Sequence, residues 1–115
     1  MGFGTSYSGA SGRLYHYVIF SADDLHNLPT HGGCYIFALN DAARTPVFIE
    51  ATNSVRASVM RQGMAEWNVA KAEHGAKLVL IHFEEDQNAA DRQAEKADFI
   101  ACFYPPMNPN PDRQQ

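Results

Sequence analysis

The sequence predicts an α+β fold: a small, mostly antiparallel three-stranded sheet with an extra N-terminal strand, flanked by helices. Three observations lead there. Strand-sized runs rich in aromatic and β-branched residues, "RLYHYVIF", "CYIFAL", "VFIEA" and "AKLVLIHFEE", recur along the chain. Helix-compatible stretches with capping residues lie between and after them. Two of the runs are separated only by "NDAARTP", a loop of hairpin length, so those two strands should pair antiparallel.

In chain order, residues 1–12, "MGFGTSYSGASG", are small and polar and read as a flexible leader. Residues 13–20 read as the extra strand. "SADDLHNL" reads as a short helix, with Ser21 as N-cap, acids in its first turn and Pro29 as its stop. After the turn "THGG" come the hairpin strands 33–39 and 46–51. Thr52 or Asn53 can cap the next helix, in which Val55, Val59 and Met60 supply a buried side until Gly63 weakens it. "MAEWNVAKAEH" adds a helical turn or two, ending at Gly75. "AKLVLIHFEE" is apolar enough to be a central strand. The last helix runs from about Gln87 to Tyr104, with Ala90, Ala94, Ala97 and Ala101 on one side and Phe99 and Phe103 adjoining them. Pro105 and Pro106 stop it. The domain proper is thus residues 13–108, and the proline-broken residues 109–115 are a flexible tail.

Composition narrows the functional classes. The chain has 115 residues, the size of one domain, with 45% hydrophobic and 19% charged residues. No run approaches the roughly eighteen apolar residues of a membrane span. Nine basic against thirteen acidic residues give a formal net charge of −4, which disfavours a nucleic-acid partner unless Arg56, Arg61, Lys71 and Lys77 cluster. Cys34 and Cys102 sit in apolar patterns and read as free cysteines of a reducing cytoplasm. "MGFGTS" fits an N-myristoylation pattern, but the flexible leader is the simpler reading. His31 and Cys34 make only half of a zinc site, and no Walker loop, dinucleotide fingerprint or serine nucleophile elbow occurs. Trp67, Tyr15, Tyr17 and Phe20 form either an exposed aromatic patch or, more simply, core.

"GCY", then "FIE" with thirteen residues from Tyr35 to Phe48, a capped helix, and a closing "EKADFIACFYPPMN" resemble a GIY-YIG nuclease domain over about residues 28–108. In that family a G-x-Y strand pairs with a Y-x-G strand. The helix that follows carries an arginine, a later helix carries a metal-binding glutamate, and a P-P-x-N segment closes the domain. Gly33 and Tyr35 match the first motif, with Cys34 at its aliphatic position. Phe48 stands at the second tyrosine, Ile49 matches, and Glu50 replaces the glycine. An ungapped match places the arginine position at Ser58. Glu95 matches the metal-binding glutamate with one residue of slippage, and Asn108 matches the terminal asparagine.

The resemblance implies phosphodiester cleavage by an activated water, a phosphate clamp and one divalent ion. Here the hydroxyl at 48 is lost, Ser58 offers no guanidinium fork, and a carboxylate at 50 would repel a phosphate by about 1 kcal/mol or more at ~4 Å. Arg61, one turn beyond Ser58 and about 60° off its face, is the one reasonable replacement; otherwise it is a solvated helix residue. Tyr35 is either a packing residue with a wet tip or a catalyst. Glu95 either pairs with Arg92 on the surface or keeps a ligand-like place on one stripe with Phe99 and Phe103. A further possibility joins Glu50 and Glu95 around a cation.

The expected function is therefore a degenerate GIY-YIG-like domain, without nuclease activity and without a cofactor, that serves as a binding or interaction module. Tyr35, Phe48, Arg61, Glu95 and Asn108 mark its vestigial site; its partner is not written in the sequence, which leaves open a protein, a second copy of itself or nucleic acid, the last disfavoured by the acidic balance. The alternative is a Mg²⁺-dependent endonuclease using Tyr35, Arg61, Glu95 and Asn108, with Glu95 as the metal ligand. A third reading sets the resemblance aside: an unrelated α+β domain associating through its N-terminal strand as a sheet edge.

Overall fold

A computed structural model describes residues 4–21, 25, 27–82 and 88–109. Its elements are β1 (Gly4–Ser8), β2 (Leu14–Ser21), β3 (Gly33–Ala38), β4 (Pro46–Thr52), α1 (Val55–Met60), α2 (Gln62–His74), β5 (Leu78–His82) and α3 (Ala89–Phe103). The strands form one sheet in the order β1-β2-β5-β3-β4, and every neighbouring pair is antiparallel. The class is α+β, as the sequence predicts, but the sheet has five strands rather than three plus one.

β3 and β5 are central because they are apolar on both sides, and all six residues of β3 are buried. Alternation along β3 then sorts its side chains. Tyr35 and Phe37 join Val55, Val59, Trp67 and Ala70 in a core beneath α1 and α2. Cys34, Ile36 and Ala38 join Tyr7, Tyr15, Tyr17, Phe99 and Ile100 in a second core beneath α3. Trp67, Tyr15 and Tyr17 are thus core residues and not a surface patch.

The fifth strand lies inside the stretch expected to be a flexible leader. β1 pairs along its full length with β2, Gly4 opposite Val18 and Ser8 opposite Leu14. Its turn is held from outside: Ser11 donates from its amide and its hydroxyl to the Asp98 carboxylate of α3, both at 2.7 Å, and Ala10 N–H donates to the Asp98 carbonyl at 3.2 Å. Gly12 supplies the left-handed residue, φ 85°. Gly9 leaves room for Asp98, whose carboxylate a Cβ at that position would strike. Small residues that look disordered in sequence are therefore ordered by tertiary contacts.

Local chemistry departs from expectation elsewhere. Ser54, and neither Thr52 nor Asn53, caps α1, its hydroxyl accepting from Ala57 N–H at 3.4 Å, while the Thr52 hydroxyl bonds the Ser54 backbone. Met60 points outward, unlike Val55 and Val59. α2 is thirteen residues long and runs through Gly63; Gly75 ends it in the left-handed conformation, φ 73°. α3 begins with a capping box between Asn88 and Asp91. Its alanines at 90, 94, 97 and 101 face solvent, and its buried residues are Glu95, Phe99 and Ile100. Phenylalanine removes far more apolar area from water than alanine, so the Phe99 stripe turns inward. Ser21, expected as a helix N-cap, ends β2 opposite Leu78; residues 22–24 and 26 of the short helix expected over 21–28 lie outside the described residues, as does the tail from 110 to 115.

Candidate functional site

The five expected site residues do not converge: Tyr35 and Phe48 lie in the core under α1 and α2, and Glu95 lies against Tyr17 of the other. On the α1/α2 side, the Tyr35 hydroxyl lies 3.0 Å from Ser58 Oγ. Gly63 permits this closeness, because a Cβ there would sit 3.1 Å from the Tyr35 hydroxyl and 3.0 Å from the Ser58 carbonyl. Burial pushes the Tyr35 pKa up to about 12; the Ser58 hydrogen bond opposes this, and the charges of Glu50 and Glu66 add to it. The phenol stays protonated near neutral pH, which ill suits a base that must take a proton from water. Glu66 is a contributor that the sequence did not mark out, and its Oε2 is buried without a hydrogen-bond partner among the described residues.

Phe48 is buried, stacked on Phe37 at 5.6 Å and 6.4 Å from the Tyr35 ring. It completes an aromatic core with Trp67, and no hydroxyl is available there. Arg61 falls at the break between α1 and α2, with φ −109° and ψ −94°, so the helical extrapolation from Ser58 does not continue through it. It is exposed, and with Thr52, Asn53, Ser54, Ala57 and Ser58 it lines an open cleft of about 300 Å³.

Glu95 lies on the other side of the sheet. It is 2% exposed. The Tyr17 hydroxyl donates to Oε2 at 2.5 Å, and His82 Nδ1 lies 2.8 Å from Oε1 and 2.9 Å from Oε2. The expected surface pairing with Arg92 is therefore replaced by a buried cluster, since the stripe shared with Phe99 points Glu95 at the sheet. Arg92 Nη2 donates instead to Asn53 Oδ1 at 2.7 Å. Burial, together with the Glu95 carboxylate, raises the pKa of the Tyr17 hydroxyl and of the neighbouring Cys34 thiol well above their ordinary values. Tyr35 and Cys34 are consecutive and point to opposite faces, so Tyr35 and Glu95 have the sheet between them.

The two remaining positions are structural in their contacts. Glu50, opposite Tyr35 in the β3–β4 ladder, is bound 2.7 Å from Lys96 Nζ, whereas Glu95 is held by Tyr17 and His82. The Asn108 side chain accepts from Ile49 N–H at 2.8 Å and donates to Ile49 C=O at 2.9 Å, clamping the C-terminal segment to β4. No three His, Cys, Asp or Glu residues form a metal-holding group among the described residues. His31 is exposed while Cys34 is fully buried, so the H-x-x-C pair does not face one ion. No protein-family model, no curated protein and no solved structure matches the chain.

Proposed function

We propose that this chain is a GIY-YIG-like domain that does not cleave phosphodiester bonds and acts as an interaction module. The reading rests chiefly on the separation of Tyr35 from Glu95. A water-activating phenol and a metal-binding carboxylate must reach the same phosphate, and here they belong to different cores. Two further features support it. Ser58 meets the Tyr35 hydroxyl where a family arginine would clamp the phosphate, but it brings no positive charge. Glu50 and Glu66 make the surroundings of Tyr35 negative.

The test is incubation of the purified full chain with supercoiled plasmid and with branched DNA in Mg²⁺ or Mn²⁺. No cleavage is expected, and none from the triple variant Phe48→Tyr, Glu50→Gly, Ser58→Arg, because restoring one face does not bring Glu95 to it. Cleavage by the unaltered chain that disappears in Glu95→Gln, with the fold retained by circular dichroism, would overturn the proposal in favour of a metal-dependent endonuclease.

A further inference from the structure

The cleft that Arg61 lines is one of three that adjoin. It shares Ser54, Ala57 and Arg61 with a cleft of about 480 Å³ that extends to Arg56 and Met60, and it shares Thr52 and Asn53 with one of about 310 Å³ that extends to Arg92 and Gln93. Together they make one groove from α1, across the end of β4, to the first turns of α3. Its charge is one-sided. Three of the chain's nine basic residues, Arg56, Arg61 and Arg92, line it, and among the described residues no aspartate or glutamate does, although the chain carries thirteen acids and a formal net charge of −4. Of the four bases whose clustering matters for a charged partner, Arg56 and Arg61 thus meet, Lys71 and Lys77 do not line the groove, and Arg92 joins from α3. Glu50, next in the chain to the groove's Ala51, is held by Lys96 at 2.7 Å. Arg92 is fixed in place: its Nη2 donates to Asn53 Oδ1 at 2.7 Å, and Gly32 makes room for it, since a Cβ there would lie 2.8 Å from the guanidinium carbon.

We propose that this groove binds an extended, acidic peptide segment of a partner protein. A guanidinium pairs with a carboxylate through two parallel hydrogen bonds, so three arginines in a groove without acids select carboxylates. Asn53 and Gln93 bring both donors and acceptors for a peptide main chain. Met60, 47% exposed at one end, gives a hydrophobic side chain an adaptable contact. A nucleic acid fits less well. Among the described residues no aromatic side chain lines the groove, so bases lack a stacking platform. A strand of phosphates that runs past the groove also meets a chain at −4, whereas a peptide carries its charges only where the arginines are. The inference rests on the reading of the chain as an interaction module and supplies the chemistry of its partner.

Fluorescence anisotropy of the full chain with a short fluorescein-labelled peptide of glutamate and serine, carrying one central leucine, tests it. Saturable binding is expected, and the same peptide with glutamine in place of glutamate should bind about tenfold more weakly or worse. Arg61→Glu should weaken binding of the acidic peptide by about tenfold or more, and Arg56→Glu should act alike, so that misfolding of one variant does not decide the matter. Lys77→Glu changes the net charge equally at an exposed base outside the groove and should change binding by less than about twofold. No saturable binding at millimolar peptide, or an equal loss from Arg61→Glu and Lys77→Glu, would overturn the proposal. Tighter binding of a labelled single-stranded or duplex oligonucleotide at the same salt would overturn it in favour of nucleic acid. The cleavage assay answers separately: a chain that neither cuts DNA nor holds the peptide sinks this inference alone, and one that cuts DNA through Glu95 sinks the reading beneath it.

Discussion

Two buried tyrosines, on the strands that flank β5, end in different company. Tyr35, in β3, meets the neutral hydroxyl of Ser58 on the α1/α2 side, whereas Tyr17, in β2, meets the Glu95 carboxylate together with His82 on the α3 side. The ring does similar work in both places, filling a core that has no spare space. The hydroxyls differ in what depends on them. Ser58 can turn to other partners at the rim of an open cleft; Glu95 is enclosed, and its lone pairs must be met inside the protein. The face that resembles a catalytic half-site in sequence thus has the weaker polar anchoring. The stronger anchoring formed where an expected metal ligand became part of the core.

Breaking the stronger anchor should have the largest effect. Glu95→Ala leaves the Tyr17 hydroxyl and the His82 ring without their shared acceptor and opens a cavity, so urea denaturation should show a loss of about 3 kcal/mol or more. A loss under about 1 kcal/mol would mean that Glu95 is held no more tightly than Ser58. Tyr35→Phe is the matched change on the other face. It removes one hydroxyl from a neutral hydrogen bond and keeps the ring, so it should cost about 1 kcal/mol or less in the same assay. Equal costs for the two variants would erase the distinction between the faces.

Part of this division was legible in the sequence. The hairpin announces itself through "CYIFAL", a short turn-forming loop and "VFIEA", and β3 pairs with β4 from Gly33 opposite Thr52 onward. The stripe that buries Glu95 is visible as its spacing from Phe99 and Phe103. Its partners are not, because Tyr17 is 78 positions away and His82 reaches it only when β5 lies beside β2. β1 was illegible for a related reason: "GTSYS" has no hydrophobic alternation, and what orders it is a turn tied to Asp98 and the packing of Tyr7 on Phe99 and Phe103. Glu66 was missed because a helical glutamate between alanine and tryptophan carries no mark of its proximity to a strand tyrosine.

The smallest expected effect concerns a third tyrosine, which puts the α3-side chemistry at the protein rim. Tyr15 donates to Asp98 at 2.7 Å, the same phenol-to-carboxylate bond as in the interior, but on a carboxylate that solvent can reach. Burial pushes the Asp98 pKa up, yet hydrogen bonds from the Ser11 and Tyr15 side chains and from the Ser11 and Ala10 backbone outweigh it and leave the value below 3.8. A depressed carboxylate stabilises the fold above its unfolded pKa, here 3.8, and that contribution disappears as pH falls through the lower folded value. Tyr15 acts in the opposite sense. Burial, then the Asp98 bond and charge, raise it from 10.0 to about 12, so its contribution is complete below pH 10.0 and is lost as pH rises through about 12. Protection of the Ser11 amide, its exchange relative to that of an unstructured amide at the same pH, should therefore be greatest between these limits and fall below about pH 4. Asp98→Asn should remove the acid-side change, while the Tyr15 pKa, raised first by burial, should fall only part of the way back toward 10.0. Ser11 protection that stays level into the acid range would show that the rim bond does not hold the turn, and that the α3 side owes its anchoring to the enclosed Glu95 alone.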